Sequence, residues 1–307
     1  MLRRVLVTGG AGFIGSHIVD KLIDNGNEVI IIDNLVTGKR ENINCCAKFY
    51  ETDICNFGEL KRIFEFEMPD IVLHLAANSM LRKSFEDPVY DANVNIIGSI
   101  NILECCRLNK VKKIIYTSTG GARVGEPEYL PVDEKHPLNP CSPYGISKHS
   151  AEHYFWMYNK LYGLDYLIFC FGNVYGTRDN VLTGRLIPVF IDKMLKGDSP
   201  KIFGDGEQTR DFIYVEDLAK FMVESLDKDS ENKLFHLANG KQISINEVCG
   251  QLKKIIGFNG NFQYVEGVKG EVRDIVLDIK MVKELGWNPE TSIEEGLKKS
   301  IEWFRNN

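Results

Sequence analysis

Long apolar runs are missing from this 307-residue chain. Its basic pair Arg3-Arg4 is followed only by Val5 to Val7 before glycines, too short a stretch for a signal or membrane segment. The expectation is a cytoplasmic protein with no membrane partner. A positive balance is missing as well. The formal charge of −6 speaks against a nucleic-acid binder held by a general basic field, so an anionic ligand must be met by local donors. The eight cysteines include the adjacent pairs Cys45-Cys46 and Cys105-Cys106 but no C-x-x-C spacing, which predicts reduced, mostly buried thiols rather than a metal or disulfide framework. There is no internal repeat and no low-complexity tract. What is present is 44% hydrophobic content, enough to bury the core of one large or two modest domains.

That content is arranged as short apolar runs separated by longer helical patterns. Val5 to Val7, Val29 to Ile32, Ile71 to Leu75, Ile114 to Tyr116 and Tyr166 to Phe169 read as buried parallel strands. The alternation predicts an α/β fold with a doubly wound, Rossmann-type parallel sheet over residues 1–172. Beyond Gly172 the punctuation by Pro188, Pro200, Gly204 and Gly206 predicts a smaller carboxy-terminal substrate domain over 173–307, with about 211–238 packing back on the first. Ile293 to Phe304 has the spacing of a closing helix.

Directly after the first strand comes Thr8-Gly9-Gly10-Ala11-Gly12-Phe13-Ile14-Gly15, opening a helical pattern. Glycines there permit a tight turn, close approach of a pyrophosphate to backbone N–H groups, and close helix packing, while the helix N-terminus favours negative charge. The second strand ends in Asp33, near the offset of an acid that accepts from adenosine ribose hydroxyls. An acid there repels a 2′-phosphate, so NAD is expected over NADP, with Lys39 and Arg40 keeping the alternative open.

Of the 12 tyrosines, Tyr144 alone has a lysine four residues later, Lys148. One such match is expected by chance, but Ser142 suits an N-cap and Pro143 the first helical position, placing Tyr144 in a first turn with Lys148 on its face. As a base near neutrality Tyr144 needs its pKa lowered by roughly three units, toward which a nearby ammonium, a helix N-terminus and a cationic nicotinamide all push. Thr117-Ser118-Thr119 closes the preceding strand, where a hydroxyl can reach a substrate oxygen. His149-Ser150-Ala151-Glu152-His153 matches an H-x-x-E-H zinc pattern, but no third ligand is evident and an ordinary helix face is the expected reading, with no metal.

Together with Asp53-Ile54, His74-Leu75-Ala76-Ala77, Asn95-Ile96-Ile97-Gly98, Ser142 to Lys148, Asn173-Val174-Tyr175-Gly176 and Phe203 to Phe212, these residues make the chain resemble the extended short-chain dehydrogenase/reductase family, in its UDP-glucose 4-epimerase-like branch, from Val5 to about Trp303. The resemblance implies a catalytic set of Thr119, Tyr144 and Lys148. It implies NAD held by Gly9, Gly12, Phe13, Ile14, Gly15, Asp33, Asn34, Leu35, Thr37, Gly38, Asp53, Ile54, Leu75, Ala76, Ala77 and Asn95, beside Tyr144 and Lys148. It implies a UDP-sugar against Ser118, Thr119, Tyr144, Asn173, Leu186, Phe203, Arg210, Lys269, Glu271 and Ile275, with Arg210 on the diphosphate and Ile275 limiting sugar bulk. A homodimer through helices at Asp91 to Leu108 and Tyr144 to Tyr162 is likewise implied.

Some positions depart from that pattern. Cys170 stands where an arginine commonly precedes Asn173, Thr177 replaces a frequent proline, Arg123-Val124 replaces valine-tyrosine, and Val268 stands where a second phosphate-binding arginine is expected. Gly120-Gly121 follows Thr119 where related 4,6-dehydratases carry an Asp-Glu acid pair and decarboxylases a glutamate. The expected activity is therefore NAD-dependent 4-epimerisation of a UDP-hexose by transient oxidation at C4. The alternatives are another nucleotide-sugar modification, such as 4,6-dehydration, or a non-enzymatic NAD-binding protein on the same fold.

Overall fold

The computed structural model describes residues 3–228, 232–267 and 272–307. The run Arg4–Thr8 forms β1, and the glycine turn delivers the chain into α1, Phe13–Asp24. Apolar residues at helical spacing make α1 bury Ile18, Val19 and Leu22, and Gly26, at φ 77°, turns the chain back. The alternation continues with β2 (Glu28–Asp33), β3 (Lys48–Glu51), α2 (Phe57–Glu67) and β4 (Ile71–His74).

After α3 (Leu81–Glu86), the stretch expected as one helix begins as α4 (Pro88–Ala92), passes through a π-helical segment at Asn93–Ile97 and continues as α5 (Gly98–Leu108). An interruption of this kind leaves an extra residue in the turn and re-aims side chains. Here it carries Asn95, whose side chain accepts from Asn78 N at 2.9 Å and donates to Asn78 O at 3.0 Å.

Strand β5 (Lys113–Thr119), helix α6 (Pro143–Tyr162) and strand β6 (Asp165–Phe171) complete the central part. The remainder comprises β7 (Asn173–Tyr175), α7 (Leu186–Leu195), β8 (Lys201–Phe203), β9 (Thr209–Arg210), β10 (Phe212–Tyr214), α8 (Val215–Glu224), β11 (Lys233–Leu237), β12 (Ile243–Ser244), α9 (Ile245–Ile256), β13 (Gln263–Val265), α10 (Lys280–Glu284) and α11 (Ile293–Asn306).

Seven parallel strands make one sheet in the order β11-β6-β5-β4-β1-β2-β3. Strands covered on both faces have to be apolar throughout, and β1, β2, β4 and β5 bury nearly every residue. Two cores lie on opposite faces. One gathers Val5, Val7, Val19 and Leu22 with α8 and β11, and the other gathers Leu6, Ile30, Tyr116 and Phe155. A third core, built from Phe190, Ile191, Tyr214, Val248, Leu252 and Leu297, lies under α7, α9 and α11. Among the described residues, no helix is long and apolar enough to cross a membrane.

The strand order reverses between β1 and β4, which opens a crevice at their carboxyl ends. The chain after β5 and β6 walls one side of it, and the third core walls the other. Phe169 of β6 anchors this end of the sheet: its fully buried ring packs on Phe221 of α8 and Phe235 of β11 at centroid distances of 6.0 and 6.3 Å. Phe169→Ala is expected to cost about 3–5 kcal/mol of unfolding free energy, read by urea titration.

Candidate active site

The crevice is a cleft of about 660 Å³ lined at one end by Gly9, Gly12, Phe13, Ile14 and Gly15. Gly9 has φ 73°, and a β-carbon on it would lie 2.8 Å from the backbone nitrogen of Ala76. A β-carbon on Gly15 would lie 2.1 Å from Gly9 O. Side chains are thus excluded where the β1 turn meets the loop after β4. Gly12 starts α1 with no side-chain cap and no acid in the first turn, leaving the helix N-terminus to an anion from outside.

Asp33 ends β2 at the wall of this cleft, accepting from Ala11 N at 3.0 Å and Leu35 N at 2.8 Å. Burial pushes its carboxyl above the ordinary value against those two donors. A β-carbon on Gly38 would lie 2.7 Å from its carboxylate, so that glycine leaves the oxygens reachable. Asn34, Thr37, Ile54, Leu75, Ala76 and Ala77 line the same cleft. Gly38 and Leu35 lie beside the Asp33 carboxylate, Asp53 accepts from Asn34 Nδ2 at 2.8 Å, and Asn95 holds Asn78, which lines the cleft.

At the centre of the cleft α6 begins as its sequence demands. Ser142 Oγ accepts from Gly145 N at 3.1 Å and Pro143 follows it, setting Tyr144 in the first turn. Tyr144, Lys148, Ser118 and Thr119 all line the cleft, with the Thr119 hydroxyl near enough to the Tyr144 phenol to lower its pKa. Lys148 is only 2% exposed, with Nζ 4.1 Å from the centre of the Tyr116 ring. Loss of water pulls its amine down from 10.5 to about 7.

The expected fall in the Tyr144 pKa is not what the ligand-free chain displays. Burial, reinforced by Asp91, pushes the phenol up to about 12, outweighing Arg185 and Thr119. The physical reason is that Lys148 is itself desolvated and does not dominate the phenol's field.

Asn173, Leu186, Phe203 and Arg210 line the other end of the cleft. The Arg210 guanidinium donates to the carbonyls of Thr209 and Arg273 at 2.8 and 2.9 Å. Ile275 does not line the cleft; it is 5% exposed and packs 3.4 Å from the position of a β-carbon on Gly121. Lys269, Glu271 and Val268 lie outside the described residues. Glu152 of the H-x-x-E-H run is turned inward onto Ser118 and Arg123.

Sequence reading missed several cleft residues, notably Asn78, Arg82, Asp179 and Arg185. Arg185 pairs with buried Asp179 at 2.7 Å and sits 5.1 Å over the Phe13 ring, joining the glycine turn to the start of α7. No local motif marks such a contact.

Comparison with known proteins agrees with this architecture. Residues 5–238 match the model of the NAD dependent epimerase/dehydratase family. A relative from Methanocaldococcus jannaschii with a provisional UDP-glucose 4-epimerase name is 50% identical over 304 residues, covering 99% of each chain. The UDP-glucose 4-epimerase of Thermotoga maritima, solved with UDP-glucose, superposes with a TM-score of 0.97 at 42% identity, covering 99% of both chains. The Thermus thermophilus UDP-glucose 4-epimerase, solved with NAD, gives 0.94 at 36% identity and covers 98% and 99%. The chain belongs to the NAD-dependent epimerase/dehydratase family. NAD is its cofactor, and the side-chain-free turn, the uncapped α1 and Asp33 fit that group.

The buried lysine gives a signed pH effect. Between pH about 7 and 10.5 the unfolded amine keeps a proton that the folded one has released, so stability rises with pH across that window. Lys148→Met is expected to remove that rise, seen as a flatter dependence of urea midpoint on pH in the ligand-free protein.

Proposed function

We propose that the protein interconverts the C4 epimers of a UDP-hexose by removing hydrogen at C4 and returning it to the opposite face. The observation that carries this reading is steric. A β-carbon on Gly120 would lie 2.3 Å from Leu277 Cδ1 and 2.8 Å from Phe171 O, so the position after Thr119 admits no acidic side chain. Elimination of water from the sugar needs a general acid there, whereas oxidation and re-reduction at C4 do not.

NAD, when bound, supplies the hydride acceptor and then the donor. The chain's own residues handle the rest. Tyr144 takes the proton from the C4 hydroxyl and later gives it back, and Thr119 orients the same oxygen. Lys148 favours the phenolate once it is protonated, and the start of α6 adds a favourable helix field. Asp33 holds the adenosine ribose, and the glycine turn holds the pyrophosphate. Asn173, Leu186, Phe203 and Arg210 hold the UDP portion, with Arg210 on the diphosphate.

Arg185 lies at the cleft wall with its charge shared with buried Asp179 at 2.7 Å, so the wall selects neither a neutral nor an anionic sugar. UDP-glucuronate therefore joins UDP-glucose, UDP-galactose and their N-acetyl forms in the substrate panel. A homodimer fits exposed Val89, Ile97, Ile146, Trp156 and Leu161 on α4, the π segment and α6.

The expected result with purified enzyme and no added NAD is conversion of one of these substrates to its C4 epimer. Tyr144→Phe is expected to be slower by about 10²–10⁴-fold. Accumulation of a 6-deoxy-4-keto product, or undiminished turnover by Tyr144→Phe, contradicts the reading.

A further inference from the structure

Arg123 sits on the loop after β5, yet its side chain is only 5% exposed. Nη2 lies 3.2 Å from Glu152 Oε2, and Nη1 lies 3.4 Å from Cys170 Sγ. Glu152 is equally buried, and its other oxygen accepts from Ser118 Oγ at 2.5 Å. His149 Nδ1 lies 2.9 Å from Oε2. Arg123 and Cys170, both departures from the sequence pattern, are thus neighbours around one carboxylate.

A buried ion pair is a weak source of stability because desolvation offsets most of the attraction; its firm effect is on geometry. This pair joins three elements that carry the site. Ser118 is the neighbour of Thr119 at the end of β5, Cys170 is on β6, and Glu152 is on α6. Residues 144, 148 and 152 are spaced four apart and share one helix face, so fixing Glu152 fixes the rotation of the face that presents Tyr144. The start of α6 also rests on the Arg123 loop: a β-carbon on Gly145 would lie 2.1 Å from Ala122 O.

We propose that Arg123 is a positioning residue for the C4 chemistry. By holding Glu152, and through it Ser118, it sets α6 against the end of β5 and so fixes Tyr144 relative to Thr119. This rests on the epimerase reading. Cys170 marks a second place from which the same carboxylate is reachable, since its sulfur lies 3.9 Å from Glu152 Oε1. Burial keeps that thiol protonated, so it offers no competing charge.

The test compares the parent with Arg123→Leu, Arg123→Leu/Cys170→Arg and Arg123→Leu/Glu152→Met. The readings are kcat and KM for epimerisation, thermal midpoint, and NAD affinity of the cofactor-stripped protein. Arg123→Leu and Arg123→Leu/Glu152→Met are expected to lose roughly ten- to a hundredfold in kcat, while KM and NAD affinity change less than about threefold. Arg123→Leu/Glu152→Met keeps the parent midpoint, because both charges leave together. Returning the guanidinium from Cys170→Arg is expected to restore kcat to within about threefold of the parent. If Arg123→Leu does not fold, the two double variants decide.

Parent-level kcat in Arg123→Leu/Glu152→Met overturns the proposal. So does an Arg123→Leu/Cys170→Arg protein that regains its midpoint without regaining kcat. A parent that leaves C4 unchanged overturns the proposed function and this inference together, whereas an active parent with unaffected variants overturns this inference alone.

Discussion

Packing the inward face of α6 against β5 and β6 takes an amine and a carboxylate out of water and brings a phenol to their edge, and every feature of the site follows from how their charges are accommodated. An unpaired charge in the interior is too costly to keep. Lys148 responds by losing affinity for its proton, falling to about 7 over the Tyr116 ring. Tyr144 stays protonated, pushed up to about 12. Glu152 instead keeps a partner, because Arg123 reaches in from the neighbouring loop. The ligand-free chain therefore holds a proton-transfer pair at rest; positive charge beside the phenol favours its ionised form, whereas the Lys148 ammonium is favoured by nearby carboxylates such as Glu152.

The sheet supplies the rest of the geometry. All seven strands are parallel, so their carboxyl ends and the turns that follow gather on one edge. The reversal of strand order between β1 and β4 opens the cleft where the glycine turn meets the loop carrying Leu75 to Ala77. Strands β5 and β6, next in line, bring Thr119 and Gly172 to the same edge. Asp33 reaches it from the other side of β1. A dinucleotide lying across this edge would meet backbone at its phosphates and side chains at both ends, the division of labour expected for the fold.

Much of this was legible in residue order. Short apolar runs between helical patterns located the strands, and Ser142-Pro143 located the first turn of α6, because those signals act over a few residues. What was not legible depends on residues distant in sequence. Ile275 was expected at the sugar but packs behind Gly121, since its partner lies more than a hundred positions away. The bracing of Asn78 by Asn95 is not legible either, because Asn95 lies in a π-helical segment, invisible to a 3.6-residue period. The pairing of Arg123 with Glu152 is hidden for the same reason. Cys170 and Arg123 each read alone as a departure, and only the fold shows them meeting. The rise of the Tyr144 pKa in the ligand-free chain is hidden too, because sequence spacing reveals the lysine's place but not how far burial discharges it.

The central claim is that hydrogen leaves C4 and returns to C4 without passing through water. The most direct measurement uses UDP-galactose, or whichever substrate is turned over, carrying deuterium at C4, converted in ordinary water and analysed by NMR. The account predicts that the epimeric product keeps the deuterium at C4. Replacement of that label by solvent hydrogen would contradict it.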